Sequence, residues 1–316
     1  MMPSEADKEY LGKEFALLLQ TTSQYMAAER NSDSIKGGKV IGGLIELEEP
    51  ENLIVIGDLH GDLLTLDRIL HKVGHTEFLS NEANKMIFLG DYVDRGSHSI
   101  DLLARICTLK NEFPDSVIFM KGNHEAPHEF PFASHTLLSE LFQRFGVDMG
   151  RSIYYDKVIP FFKLLYPMVI IKKRLIFVHG GLPSDKNLQH ASNRDLGGKV
   201  ERNAAFLEDI LWSDPHNLPD EEGKKGDSVP SLRGYGKYFG IHLTERWLKR
   251  VGAVAVIRGH EPCQGFSVEH DGLVLTIFSS KEPYPAFGAS YLRISRKELQ
   301  LAKNAIDLSR FMARLD

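Results

Sequence analysis

Sulfur chemistry is almost absent from this sequence. Two cysteines, Cys107 and Cys263, occur in 316 residues, and neither sits in a C-x-x-C pattern. That excludes a disulfide framework and a thiolate-built metal site, and leaves two reduced thiols of a cytoplasmic protein as the plain reading. No apolar run approaches the length of a membrane span. The opening residues MMPSEADKEY lack the basic region followed by an apolar stretch that marks a secretory leader. There is no excess of positive charge: 38 Lys and Arg face 43 Asp and Glu, a net charge of −5, so composition gives no argument for nucleic acid as a partner. No internal repeat or low-complexity tract is visible. The expectation is a cytoplasmic protein that engages neither membrane nor nucleic acid.

What is present is an ordinary globular composition, 42% hydrophobic and 26% charged. That suffices to bury one large α/β domain or two small ones. The organising stretch is Leu53–Asp62, LIVIGDLHGD. Leu53-Ile54-Val55-Ile56 reads as a buried strand, Gly57 ends it, and Asp58 and His60 project from the turn. A carboxylate and an imidazole at a strand end suit a divalent cation with oxygen and nitrogen ligands. The same grammar recurs. Met86–Leu89 leads into Gly90-Asp91, Val117–Met120 into Gly122-Asn123-His124, Leu175–Val178 into His179-Gly180, and Val254–Ile257 into Gly259-His260.

Periodicity supplies the frame around these strands. Apolar spacing predicts helices over residues 5–30, 63–73, 99–112, 136–145, 202–210, 242–251 and 301–314. Val40–Leu47 reads as one strand, and residues 159–171 as a β-like apolar stretch. Lys172-Lys173-Arg174 and Asp271-Gly272 read as hairpin turns, and residues 182–196 and 219–229 as loops. Strand–helix repetition from residue 53 predicts βαβ units, with ligands outside the carboxyl ends of the strands. No domain boundary falls within 40–300, because the site residues span it. Residues 1–39 stand as an N-terminal helical extension and 301–316 as a C-terminal helix.

Singly, each motif is modest evidence. Together they are specific, since chance would have to produce GDLHG, GDYVDRG, GNHE, HGG and RGHE in order, each after an apolar strand. They supply Asp58, His60, Asp91, Asn123, His179 and His260 as candidate ligands. Six oxygen and nitrogen donors exceed what one tetrahedral zinc takes. They fit two divalent cations sharing a bridging carboxylate, the usual arrangement for phosphate-ester hydrolysis. A shared water of low pKa would then provide a hydroxide nucleophile. His124 is placed to protonate the leaving alkoxide, with Asp94 orienting it. Arg95 and Arg233 are candidates for bidentate phosphate binding.

These blocks resemble the signature set of the calcineurin-like metallophosphoesterases. LWSDP at 211–215 and RGYGKYFG at 233–240 narrow the resemblance to the phosphoprotein phosphatase (PPP) family of serine/threonine phosphatases, over roughly residues 50–295. The resemblance implies an α/β fold, a β-sandwich of two mixed sheets flanked by helices, where strand grammar alone suggests one sheet. It implies that Asp58, His60 and Asp91 hold one metal and Asp91, Asn123, His179 and His260 the other, with Asp91 bridging. It further implies His124 as general acid paired with Asp94, Arg95 and Arg233 on phosphate, and in-line attack by a metal-bridging hydroxide. Two divalent ions are expected, manganese first, with iron or zinc as alternatives. Phosphoproteins are the expected substrates, and the family admits a regulatory subunit.

The chain departs from the family in two places, one being Arg258-Gly259-His260-Glu261 where eukaryotic members often read RAHQ, the other the loop after the strand Leu273–Phe278. Where members carry a serine-alanine-proline-asparagine-tyrosine-cysteine loop, it reads Ser279-Ser280-Lys281-Glu282-Pro283-Tyr284, with Tyr284 standing in for the loop tyrosine in contact with substrate. That loop keeps a second reading open, a hydrolase of dinucleoside polyphosphates or other small phosphate esters. Of the remaining motif residues, Arg258 is read as loop support or site residue, Trp212 as a core anchor, and Ser213 and Asp214 as ordering the loop near the metals. Glu125 and Glu261 are read as partners of ligand histidines or as turn residues. His71, His75, His128, His135 and His190 are read as surface or structural.

Overall fold

The computed structural model describes residues 4–184, 192–218 and 227–315. Two mixed sheets form a sandwich. One has eight strands, in the order Ser34–Ile35, Gly38–Ile41, Leu44–Leu47, Met168–Ile171, Leu175–Val178, Ala255–Arg258, Val274–Ile277, Phe266–Glu269. The other has five, in the order Met312–Leu315, Ala289–Ser295, Asn52–Ile56, Lys85–Phe88, Val117–Phe119. A small third sheet joins Ser228–Pro230, Lys237–Phe239 and Asp214–Pro215.

Successive side chains on a strand face opposite ways, and the eight-stranded sheet uses both faces. Ile45, Leu47, Val169, Ile171, Leu175, Phe177, Ala255, Ile257, Leu275 and Ile277 join the core between the sheets. Their neighbours Leu44, Met168, Ile170, Ile176, Val178, Val256 and Val274 form a second core with helices Asn193–Arg202, Ala204–Trp212 and Ile241–Val251. The five-stranded sheet carries helices Leu63–Val73 and Ser99–Glu112, and Glu5–Asn31 packs behind Ser99–Glu112. Lys110 ties that N-terminal helix down. Its buried ammonium donates to Glu29, at 2.5 Å, and to the carbonyls of Pro114 and Val117.

The two sheets meet at the end where the motifs lie. Asp58, just past Asn52–Ile56, bridges Phe278, just past Val274–Ile277, in parallel register. Gly57 makes that approach feasible, because a Cβ there would stand 2.1 Å from the Ile277 carbonyl oxygen. Strand ends from both sheets therefore open onto one edge, so the expectation of one sheet from strand grammar gives way to the sandwich.

Other expectations are corrected in detail. Val40–Leu47 is not one strand but an antiparallel hairpin, turned at Gly42 with φ +57°, against the Gly197 carbonyl. Residues 159–164 are helical rather than β-like, Pro160 fitting the first turn where no amide donor is needed. Helices Val147–Ile153 and Asn193–Arg202 fall where none is expected. The expected C-terminal helix of residues 301–316 is instead the end of Arg296–Leu301, a short helix Ala305–Ser309, and the edge strand Met312–Leu315. Leu315 buries where Met312–Leu315 closes the five-stranded sheet beside Ala289–Ser295, whereas Ala305 and Leu308 bury in the short helix packed on Val274–Ile277. Residues 185–191 and 219–226 of the two expected loops, His190 among them, lie outside the described residues. No helix among the described residues is long and apolar enough to cross a membrane.

Candidate active site

Three of the five site-bearing strands, Asn52–Ile56, Lys85–Phe88 and Ala255–Arg258, lead into turns whose backbone is strained. His60 (φ +47°), Asp91 (+55°), Asp94 (+69°), Arg95 (+71°) and His260 (+72°) all lie in the left-handed region, which side chains other than glycine adopt at a cost. Glycines in the motif turns permit close approach. A Cβ on Gly122 would fall 2.2 Å from Asp91 Oδ1, and one on Gly259 would fall 2.2 Å from Asp58 Oδ1. Backbone bonds then lock the loops together. Leu59 and His60 amides donate to the Asp91 carbonyl at 3.0 and 2.9 Å.

The six predicted ligands converge. Ligand atoms of Asp91, His179 and His260 lie within 4.8 Å of one another, and so do those of His60, Asp91 and His124, all buried. Asp91 belongs to both groups. Asp58 sits beside them, its Oδ2 3.9 Å from His60 Nε2, while its oxygens accept the His260 amide at 3.0 Å.

Proton placement decides whether this donor set fits cations. His60 Nδ1 lies 3.1 Å from the Val93 carbonyl and His179 Nδ1 lies 2.9 Å from the Leu89 carbonyl. A carbonyl only accepts, so in the neutral rings those nitrogens carry the protons and both Nε2 atoms are bare. Bare His60 Nε2 faces Asp91 Oδ2 at 3.5 Å, and bare His179 Nε2 faces Asp91 Oδ1 at 3.3 Å and Asn123 Oδ1 at 3.0 Å. On His260, Asp214 Oδ1 stands 3.8 Å from Nε2 and favours the proton there, an atom with no hydrogen-bond partner among the described residues. Its Nδ1 is thereby left bare, 2.9 Å from Asn123 Oδ1. Lone pairs thus crowd against lone pairs among buried side chains. Cations between them, or a proton on a histidine and an amide of Asn123 turned about, relieve that repulsion. The residues fit a pair of hard-to-borderline divalent ions with oxygen and nitrogen ligands.

The same crowding shows in the metal-free proton equilibria. Burial pushes the Asp58 carboxyl up to about 6, with the charge of Asp91 adding to it. Burial works against charging His179, but the Asp91 carboxylate outweighs it and lifts the imidazole to about 9. Burial brings His60 down to about 4.

Beside this cluster, His124 Nδ1 lies 2.7 Å from Asp94 Oδ2, and the His124 amide donates to Asp91 Oδ1 at 3.0 Å. Burial opposes the charged imidazole, but Asp91 and Asp94 together raise its pKa above the usual value. Asp94 itself is held well below the usual carboxylate range despite burial, by hydrogen bonds from His124 and His135. His124 is therefore arranged to hold a proton against the open side of the site.

Arg95 is exposed and makes no hydrogen bond or ion pair among the described residues, and Arg233 is exposed with its Nε 2.7 Å from Asp214 Oδ2. The Tyr284 ring packs 5.5 Å from His60, and its hydroxyl, raised to about 12 by burial, feels the charges of Arg95, Asp58, Asp91 and Arg233. The divergent loop that carries it is pinned to Asp62, which caps the helix Leu63–Val73 and accepts from the amides of Lys281 and Glu282 at 2.6 and 2.8 Å.

The structure chooses among the readings left open for the supporting residues, and Trp212 is the core anchor the sequence suggests. Neither glutamate holds a ligand histidine. Glu125 accepts the amides of Asp91, Tyr92 and Gly122 at 2.8, 2.8 and 3.0 Å, welding two motif loops, and Glu261 pairs with Arg258 at 2.6 Å. Backbone carbonyls hold His60 and His179 instead, which no sequence motif reveals. Arg258 is fully buried and binds the Gly180 carbonyl, Glu261 and Asp214, so it supports the loop. Trp212 is buried in the second core and packs edge-on to His260 at 5.9 Å. His135, read as surface or structural, bonds Asp94 Oδ2 at 2.9 Å. Its placement depends on a loop whose path the sequence does not specify.

Comparison with known proteins follows the same lines. Residues 52–264 match the calcineurin-like phosphoesterase family. The chain is 31% identical to serine/threonine-protein phosphatase T of Schizosaccharomyces pombe over 75% of its own length and 47% of that protein's. It is also 31% identical to a protein phosphatase 2A catalytic subunit of Dictyostelium discoideum, over 74% of its own length and 70% of that protein's. The chain spans about half the length of the first curated relatives it matches. A Saccharomyces cerevisiae serine/threonine phosphatase structure, described as similar to human phosphatase PP5, shares the fold. Its TM-score is 0.72 at 22% identity, covering 96% of this chain and 89% of that one.

Proposed function

The chain belongs to the calcineurin-like phosphoesterases and, within them, to the phosphoprotein phosphatases, and from that premise we propose that it hydrolyses phosphoserine and phosphothreonine in proteins. The observation that carries the reading is the single carboxylate of Asp91 shared between two groups of ligand atoms, one with His179 and His260 and one with His60 and His124, the His124 ring being held in turn by Asp94. In this reading Asp58, His60 and Asp91 hold one divalent cation, and Asp91, Asn123, His179 and His260 hold the other. Manganese comes first, with iron or zinc as alternatives. Such ions neutralise phosphoryl charge and lower the pKa of water.

The chain's own residues do the rest. Arg95, its guanidinium exposed, and Arg233 bind the phosphoryl oxygens as planar donors. Tyr284 walls the site beside His60 and offers a neutral hydroxyl donor. His124 holds a proton for the departing alkoxide, and Asp94 keeps it oriented and charged. A cytoplasmic setting agrees with the two free cysteines. A regulatory subunit is part of the proposal, and residues 40–300 are taken as the catalytic unit.

The test is a metal-depleted protein restored with manganese, iron or zinc, its metal content measured, and its turnover compared on a phosphoserine peptide, a phosphotyrosine peptide and diadenosine tetraphosphate. The reading expects about two ions per chain and highest kcat/KM on the phosphoserine peptide. Faster cleavage of the dinucleotide would move the chain to the small-ester hydrolases.

A further inference from the structure

The Asp94 carboxylate is more heavily engaged than orienting one histidine requires. Its Oδ1 accepts the amides of Thr136 and Leu137 at 2.7 and 3.1 Å, the N-terminus of helix Leu137–Phe145, together with the Thr136 hydroxyl at 3.3 Å. Those bonds fix the plane of the carboxylate. Its Oδ2 then has two lone-pair directions. One meets His124 Nδ1 at 2.7 Å and the other meets His135 Nδ1 at 2.9 Å. A carboxylate oxygen only accepts, so both imidazoles present an Nδ1 proton to it. The far side of His135 is closed by the Tyr154 hydroxyl, 2.7 Å from Nε2. Tyr154 opens a π-helical turn, Tyr154–Val158, a local widening that often accompanies functional sites. Phe132, from the same loop as His135, covers both rings, edge-on to His124 at 4.6 Å and to His135 at 5.8 Å.

We propose that His135 is a positioning residue for the proton donor: it occupies the second lone pair of Asp94 Oδ2 and so confines His124 to one direction about that oxygen. This rests on the reading of His124 as the acid. With His135 in place, rotation of the His124 ring about Oδ2 would collide with an existing hydrogen bond. Without it, Oδ2 can swing toward His124 or admit water, and the His124 Nε2 proton loses its fixed line to the leaving oxygen. Tyr154 acts one step further out, by holding His135.

Leaving-group dependence separates positioning of an acid from general damage to the site. A serine alkoxide must be protonated as it leaves, whereas p-nitrophenolate leaves unaided. In the metal-loaded protein, His135→Ala is expected to lower kcat on a phosphoserine peptide about 10-fold, a fraction of what a general acid contributes. KM should stay within about twofold, and the fall on p-nitrophenyl phosphate should be several-fold smaller. His135→Asn places an amide N–H near the old Nδ1 and should recover part of the loss, and Tyr154→Phe should show a weaker form of the same contrast. A second readout does not involve turnover. In histidine-15N-labelled protein, the low-field signals of the two Nδ1 protons on Asp94 should reduce to one in His135→Ala, and the remaining His124 signal should move. His124→Asn is the control, and it should show the leaving-group contrast in larger form. If it does and the His135 variants lower both substrates equally, or neither, the positioning role is overturned while the acid stands. If His124→Asn shows no contrast, acid and positioning role fall together.

Discussion

Gly259→Ala tests whether the site depends on placement to within about 1 Å. Gly259 does not need left-handed backbone, so alanine is conformationally acceptable there, and the effect reduces to one added methyl group. That methyl would stand 2.2 Å from Asp58 Oδ1, where ordinary contact begins at 3.4 Å, so the carboxylate must retreat by roughly 1 Å. It has nowhere easy to go. Asp58 is fully buried, and both its oxygens accept the His260 amide at 3.0 Å. The overlap should cost about 1–3 kcal/mol of stability, as overpacking typically does. A displacement of that size at a reacting centre should lower kcat/KM by about 10²-fold. The assay is p-nitrophenyl phosphate hydrolysis under saturating metal, with thermal unfolding and elemental analysis on the same samples. Activity within about threefold of the parent, with both ions bound, would refute the claim that Gly259 is there to admit the Asp58 carboxylate.

Three further outcomes are expected. His124→Asn should keep both metals while kcat falls by about 10²–10⁴, the range for a lost general acid, and near-normal turnover of a phosphoserine peptide would remove His124 from that role. Asp91→Asn should weaken both ions at once, because Asp91 belongs to both ligand groups, and full two-ion occupancy by elemental analysis would contradict the bridge. Asp214 gives a pH test in the metal-free protein. Burial raises its pKa, but His260, Arg258 and Arg233 together outweigh that and bring it down to about 2. A carboxyl depressed on folding contributes stability above its unfolded pKa of about 3.9, and loses it as pH falls toward the folded value. Asp214→Asn should therefore cost about 2–3 kcal/mol by urea unfolding at pH 7, and distinctly less near pH 3. An equal cost at both pH values would show that the charge of Asp214 is not what matters.

The strand ends were legible because their information is local. An apolar run, a glycine and a polar donor within about ten residues specify a strand, its stop and its cargo, as at Leu53–His60. The helices Leu63–Val73 and Ser99–Glu112 were legible for the same reason, one apolar face repeated each turn. The hairpin at Gly42-Gly43, the helical residues 159–164 and the C-terminal strand Met312–Leu315 were not. Each depends on a distant partner: the Gly197 carbonyl, the N-terminal helix, and the strand Ala289–Ser295.

The sequence by itself named the donors of the proposed metal site, since Asp58, His60, Asp91, Asn123, His179 and His260 all lie in short motifs. Only the tertiary structure decided that Asp91 stands in two ligand groups at once and that backbone carbonyls set the tautomers of His60 and His179. It also decided that Glu125 welds loops rather than holding a ligand, and that His135 shares Asp94 with His124. The reason is geometric. A motif fixes the chemistry of a residue and its neighbours along the chain, whereas hydrogen-bond partners across the sandwich depend on where sheets, bridges and loops bring separate segments within about 3 Å.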